Sequence, residues 1–401
     1  MSKVTTTWQF EAQDSLFFRE SRPMNSIGNA ELSSIFPPST QTLIGAIRHV
    51  LGEISGVDWK AYSQQQQQHP LAEIIGYGEN MASLHFSGIW IHKDGQRLYP
   101  APLNLMYQNL TSQQDNKRCF FLEIDSEPTQ SDLGKIRLPK LSSNDGGSKN
   151  LENIWLSKAN YERVLNGIPP EPEDWFILKS PSQTRQKNSL LIEEPRIGIA
   201  TNRQQRAVKK GLLYQTKHIR LTEGVSLCMD VSIDSKHQAI SQQADNHFFT
   251  RLGGEGRLAS ITQHTVPPPL NAPDIGKYFI IYLLTPLLID QTKQAQWHPL
   301  PLTEMKQEQG AWTGQLNGIE ISLHSAVVGK AHSEGGWDLA KHKPKPLKPY
   351  IPAGSVFYCS SEAKTQTVIN ALHNQQIGAE QALGRGYIAL GKWQQTAQGA
   401  K

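Results

Sequence analysis

The sequence predicts an α+β protein built as two related domains, and three observations carry that expectation. A strand–helix–strand–strand–helix–strand order can be traced in the first part of the chain, it recurs in shorter form afterwards, and a proline-stiffened stretch separates the two. A length of 401 residues exceeds one typical core and suits two. This element order is that of a ferredoxin-like module. The expected architecture is therefore two ferredoxin-like domains, 1–265 and 274–401, the first with a large loop-rich insertion at about 109–183.

Residues 4–12, rich in Thr and aromatics, read as the first strand. Ser39 or Thr40 caps a helix in which Leu43, Ile47, Val50 and Ile54 recur at helical spacing. Gly45 inside that helix costs about 1 kcal/mol relative to alanine, which predicts a close neighbour there. Leu84, Phe86, Gly88 and Trp90 alternate with His85, Ser87 and Ile89 as a second strand. Pro, Ser, Asn and Gly dominate 109–183, the insertion. Residues 212–221 and 225–233, joined by Thr222-Glu223-Gly224, read as a hairpin, and Asp234 or Ser235 caps a helix toward Phe249 before the last strand.

After the segment 266–273, residues 278–284 form a buried strand, and Ile319, Ile321 and Leu323 alternate. Residues 355–359 are a strand, and 362–376 are helical with Val368, Ile369 and Leu372 apolar and Gly378 as the stop.

Lys and Arg number 40 against 36 Asp and Glu, and a net charge of +4 does not identify a nucleic-acid binder by itself. Distribution is more informative. Nine basic residues lie between Arg185 and Arg220, against only Glu193 and Glu194. Such a stripe is the footprint of a phosphate backbone or of a solvated charged face. Cys119, Cys228 and Cys359 are too far apart in sequence for a zinc ribbon or disulfide framework. No apolar leader stands at the amino terminus, and the longest greasy run, 278–289, is broken by Thr285-Pro286. A cytoplasmic protein without membrane contact is expected.

Two glycine-rich loops stand out. Arg251-Leu252-Gly253-Gly254-Glu255-Gly256-Arg257 and Leu383-Gly384-Arg385-Gly386 each follow a helical pattern and precede a strand. Glycines let backbone N–H groups approach an anion, and arginine forks match phosphate oxygens, so Gly253, Gly254, Gly256 and Arg257, and likewise Gly384, Arg385 and Gly386, are candidate phosphate contacts. The alternative for each is a tight helix-to-strand connection. No HExxH, HxH, GxSxG or GGDD string is present, and neither loop has the spacing of a dinucleotide or P-loop motif, so no catalytic or metal site is expected.

Several strings together resemble one family. Leu16-Phe17-Phe18-Arg19-Glu20-Ser21-Arg22-Pro23, then Phe36-Pro37-Pro38-Ser39-Thr40 and Gly45-Ala46-Ile47-Arg48, resemble the opening of RAMP-superfamily proteins of CRISPR systems. Pro195-Arg196-Ile197-Gly198-Ile199-Ala200, Gly211-Leu212-Leu213-Tyr214, Gly253-Gly254-Glu255-Gly256-Arg257, Gly336-Trp337-Asp338, Lys345-Pro346 and Pro352-Ala353-Gly354-Ser355-Val356 are similar, in order, to the family of the third protein of the type III-B Cmr module. The resemblance implies a noncatalytic RAMP subunit, related to the Cas five group, that caps the complex at the 5′ handle of CRISPR RNA. It implies contact with the large polymerase/cyclase-like subunit and the first backbone subunit, and only indirect contact with target RNA. It implies no cofactor beyond a nucleotide-like ligand at the large-subunit junction. The runner-up is a RAMP endoribonuclease maturing precursor CRISPR RNA, with His85 or His218 as general base.

Under that resemblance Arg19 and Arg22 stand after the first strand, either reaching RNA or pairing with Glu20 or Asp14. Arg48 either flanks the core face toward the handle or snorkels. Arg196, Arg203, Arg206 and Tyr214 supply cations and an aromatic ring for a splayed single strand, unless they are a solvated loop and a core tyrosine. Lys343 and Lys345 belong to an extended, proline-interrupted basic arm that touches RNA or is simply exposed.

Overall fold

In the computed structural model the described residues are 2–20, 31–109, 117–131, 134–141, 147–179, 188–202, 204, 207–243, 248–289, 298–308, 310–338, 341 and 343–393. The protein is α+β. The elements used below are, in chain order, β1 (Lys3–Ala12), α1 (Thr40–Ile54), β2 (His85–Lys93), α2 (Lys158–Leu165), β3 (Ser189–Asn202), β4 (Ala207–Leu221) and β5 (Val225–Asp234). They continue with α3 (Gln238–Gln242), β6 (Phe248–Arg251), β7 (Leu258–His264), β8 (Tyr278–Leu283), β9 (Thr303–Glu308), β10 (Ala311–Leu316) and β11 (Ile319–Val327). The last are β12 (Trp337–Asp338), β13 (Lys343–Pro344), β14 (Val356–Ser360), α4 (Thr365–Leu372) and β15 (Ile388–Lys392).

The chain divides into two compact units, each drawn from three stretches: 1–95, 177–267 and 333–348, and 96–176, 268–332 and 349–401. This corrects the sequential division at 265/274. Most of the expected insertion belongs to the second unit, because strand pairing joins segments distant in sequence.

In the first unit the strand order is β6–β7–β1–β5–β2, with every neighbouring pair antiparallel. Strand β5 is central and buried along nearly its whole length, so it reads as an apolar run instead of alternating. Helix α1 buries Leu43, Ile47, Val50 and Leu51, its period-3.6 stripe. A Cβ at Gly45 meets nothing within 4 Å, so the close neighbour expected there is absent; the Trp59 ring closes instead on Gly52.

Two expectations in this unit are corrected. Residues 212–221 and 225–233 are not a hairpin: β4 pairs with β3 in a long antiparallel ribbon, whereas β5 pairs with β1 and β2. The charges in 193–220 had hidden a strand. The helix expected toward Phe249 is only the five-residue α3, and Phe248-Phe249-Thr250, aromatic and β-branched, form strand β6.

In the second unit the order is β9–β10–β11–β14–β8–β15, again antiparallel throughout. Phe279, Ile281, Leu283, Phe357 and Leu390 share a core with Val368 and Leu372 of α4. The other face meets α2, where Tyr161 approaches Tyr282 at a ring separation of 6.2 Å and the Leu165 backbone lies against Gly391. Helix α4 ends at His373, earlier than expected, and Gly378, at φ +78°, serves the bridge between Leu288 and Ala379 instead of a helix stop. Among the described residues no helix is long and apolar enough to cross a membrane.

Candidate nucleic-acid interface

The site grows from the ribbon of β3 and β4. Ile192 faces Arg220, Glu194 faces His218, Arg196 faces Thr216, and Gly198 faces Tyr214. Opposite residues of an antiparallel pair share a side of the sheet, so these eight lie on one face. The chain leaving β1 is pinned along the edge of β4 away from β3: Leu16 N–H donates to Ile219 O at 2.7 Å, and Ile219 N–H returns to Leu16 O at 2.9 Å. Ser15 and Phe17 then close over His218, with 3.3 Å between Ser15 Oγ and His218 Nδ1 and 5.1 Å between the stacked rings of Phe17 and His218.

The first glycine loop is the turn between β6 and β7, not a helix-to-strand connection. Leu252 N–H donates to Arg257 O at 2.9 Å, and Gly254 N–H donates to Phe17 O at 2.8 Å. Gly253 has φ +80°, and a Cβ there would come within 2.9 Å of the Phe18 ring. Close packing on Phe17-Phe18 therefore accounts for Gly253 and Gly254, and the Gly254 amide is not available to phosphate. Gly256, at φ +65°, faces open space.

Docking this turn brings Arg257 to the ribbon arginines. Asp14 accepts from Arg220 Nη2 at 2.6 Å, Arg257 Nη1 at 3.2 Å and Arg196 Nη2 at 3.3 Å. Glu194 accepts from the Nη2 groups of Arg196 and Arg220, each at 3.2 Å, and from Arg220 Nε. Arg196 also donates to Ser15 Oγ at 2.8 Å. Three guanidinium groups meet two carboxylates, so the cluster carries one net positive charge, and all three arginines remain partly exposed. The Arg220 guanidinium, through its hydrogen bonds, holds both Asp14 and Glu194 below the usual carboxylate range, while they raise its own pKa. Burial, followed by the Arg257 and Arg196 charges, lowers His218 and keeps it neutral at pH 7. The carboxylates hold the arginine forks fixed, an arrangement suited to phosphate oxygens. On the Arg220 side lies a cleft of about 460 Å³ that includes Glu11, Asp94 and Glu223; its acid-rich wall leaves Arg196 and Arg257 as the approach for an anion.

The remaining expected residues are scattered. Arg19 is exposed and bridges to Ser34, whereas Arg22, Arg203 and Arg206 lie outside the described residues. Arg48 donates to Gly76 O at 2.7 Å and Gly78 O at 3.1 Å, tying α1 to a turn. Tyr214 lies over Gly198, where a Cβ would collide with its ring. The basic arm is folded: β12 and β13 pair, Lys343 is exposed, and Lys345 Nζ donates to Gln41 Oε1 at 2.8 Å. The second glycine loop is internal, which corrects the expectation of a surface guanidinium. Arg385 is 1% exposed with its guanidinium 4.4 Å from the Tyr350 ring centroid. Gly384 N–H and Gly386 N–H donate to Gln381 O and Pro286 O, both at 2.9 Å.

Of the expected residues, then, Arg196, Arg257 and the Gly253-Gly254 turn come together, with Tyr214 further along the same ribbon face. Arg220 and Glu194 were overlooked as members. The signal was available in their spacing: Glu194 and Arg196, like His218 and Arg220, are two apart, the period of one strand face.

A family model described as CRISPR-associated protein (Cas_Cmr3) matches residues 8–393, nearly the whole chain. The α+β chain with this arginine cluster is thus a CRISPR-associated protein of the type III effector class. In particular, it belongs to the Cas_Cmr3 family. Among solved structures it is similar to a chain in type III-B Cmr-beta bound to cognate target RNA and AMPPnP, at 14% identity and a TM-score of 0.45, covering 88% of this chain and 86% of that one. It is also similar to a chain of the Csm3-Csm4 subcomplex of the type III-A CRISPR-Cas interference complex, at 12% identity and a TM-score of 0.40, covering 96% and 98%. No curated protein matches the sequence.

Proposed function

We propose that this chain is the noncatalytic RNA-binding subunit of a type III-B effector complex that holds the 5′ handle of CRISPR RNA and bridges the large polymerase/cyclase-like subunit to the RAMP backbone. The observation that carries the reading is the Asp14-centred cluster of Arg196, Arg220 and Arg257. An RNA phosphate reaching it exchanges one anionic partner for another, so the forks need little reorganisation. Exposed Arg19 adds a further cation, and Tyr214 an aromatic face on the same ribbon.

Two ferredoxin-like modules are the architecture proposed with this function. Strand order β7–β1–β5–β2 with α1 in the first crossover, and β15–β8–β14–β11 with α4 in the second, support it. The endoribonuclease alternative gains nothing from His218, which is 1% exposed and covered by Phe17.

The test is handle protection in the assembled complex. Arg196→Glu and Arg257→Glu should each expose the RNA 5′ end in a footprint and reduce the salt dependence of binding. Unaltered protection with both variants would overturn the reading, and cleavage of repeat RNA abolished by one His→Ala variant would replace it with the nuclease.

A further inference from the structure

Ser15 and His218 stand behind the arginine cluster, each 1% exposed, so neither can itself touch an RNA. Their spacing is fixed by the backbone, because the mutual hydrogen bonds of Leu16 and Ile219 join the residues next to them. Phe17 stacks on the His218 ring at 5.1 Å and 21° and holds its plane. Arg196 Nη2 carries two hydrogens and faces three acceptors: Ser15 Oγ at 2.8 Å, Glu194 Oε2 at 3.2 Å and Asp14 Oδ2 at 3.3 Å. The serine contact is the shortest. A guanidinium only donates, so Ser15 Oγ accepts from it, and the single Ser15 hydroxyl hydrogen is left for His218 Nδ1, 3.3 Å away. Burial, followed by the Arg257 and Arg196 charges, favours the neutral imidazole, in which one ring nitrogen accepts. That nitrogen is Nδ1, which leaves the ring hydrogen on Nε2.

We infer that Ser15 and His218 are positioning residues for Arg196: His218 Nδ1 takes the Ser15 hydroxyl hydrogen, which turns the Ser15 lone pairs to Arg196 Nη2 and fixes that guanidinium where an RNA phosphate can reach it. The inference rests on the RNA-binding reading above and adds two uncharged side chains to its machinery. Asp14 and Glu194 also hold Arg196, but they divide their oxygens with Arg220 and, for Asp14, with Arg257. Both carboxylates are repelled by an incoming phosphate, whereas a neutral hydroxyl is not. The serine bond therefore persists as the anion arrives and keeps the fork from swinging away with its displaced partners.

The experiment measures binding of the full chain to a labelled single-stranded RNA carrying the handle sequence, with thermal unfolding as the folding control. Ser15→Ala should weaken binding by the folded chain about 2- to 10-fold, the worth of one hydrogen bond. Ser15→Thr, which keeps the hydroxyl, should restore most of the affinity. Because Ser15 acts through Arg196, Ser15→Ala should change nothing further in an Arg196→Ala background. The imidazole nitrogen signals of His218 in magnetic resonance should report the hydrogen on Nε2 at about pH 7. Weakened binding by Arg196→Ala alongside an unchanged Ser15→Ala variant would overturn the relay and leave the arginine cluster standing. An equal Ser15→Ala loss in both backgrounds, or a hydrogen on Nδ1, would equally overturn it. Full affinity in Arg196→Ala would remove the RNA reading of that arginine and the relay with it.

Discussion

Arg220 donates through Nη2 to Asp14 Oδ1 at 2.6 Å, joining two residues 206 positions apart in the sequence. That bond closes the end of β1 onto the β3–β4 ribbon and gives the β6–β7 turn a carboxylate to dock Arg257 against. The same carboxylate orients the three guanidinium groups and lowers the net charge they present.

Asp14→Asn separates these roles. The cluster gains a positive charge, so affinity for single-stranded RNA should rise a few-fold and the salt slope should steepen by up to about one. Asp14 is about half exposed, so the stability loss should be only about 1 kcal/mol in chemical denaturation. A weaker affinity would mean that orientation of the forks outweighs charge.

Glycine substitutions should separate by environment. Gly45→Ala lies in α1 with open space around it and should stabilise the fold by about 0.5–1 kcal/mol. Gly253→Ala meets both a positive φ and the Phe18 ring and should destabilise by about 1–3 kcal/mol. Denaturant midpoints of the two variants should move in opposite directions.

Acid should weaken the fold before the carboxylates titrate. Burial lowers His85, His218, His298 and His373, and lowers His324 to about 4. A histidine depressed in the folded state binds its proton more readily when unfolded. Its stabilisation is complete above the unfolded value of about 6.5 and is lost as pH falls below that. Thermal midpoints should hold between about pH 8 and 7 and decline from about pH 6.5 downward. The depressed Asp14 and Glu194 have the same sign and add their losses below about pH 4, the ordinary carboxylate range. A midpoint that stays flat to about pH 5 would contradict the histidine assignment.

Arg385 should behave as a core residue. Arg385→Ala removes a buried guanidinium from the Tyr350 face and should cost about 2 kcal/mol or more. RNA affinity of the folded fraction should not change. A selective loss of binding with normal unfolding would return the second glycine loop to the interface.

The local patterns that survived are those set by neighbouring residues. The apolar stripe of α1 and the apolar run of β8 follow from a period of 3.6 or from burial on both faces, whereas the alternation expected from Leu84 to Trp90 breaks at a register shift opposite Cys228–Asp230, and Ile89 is buried as well as Trp90. The ribbon was obscured because Glu193, Glu194, Arg196, Lys217 and Arg220 read as a solvated stripe, although alternate members form one strand face. Both glycine loops were visible as tight, but their outcomes diverged. One turn docks on Phe17-Phe18 beside exposed arginines, and the other encloses its arginine on Tyr350.

Composition and periodicity determined the α+β class, the position of α1 and of several strands, and where arginine and glycine concentrate along the chain. Tertiary structure alone decided which strands pair, how the two units share the chain, and which guanidinium groups reach solvent. The reason is physical. A residue's period records only which way its side chain leaves the backbone, whereas pairing and burial are fixed by contacts such as Asp14 with Arg220 that close over long stretches of chain.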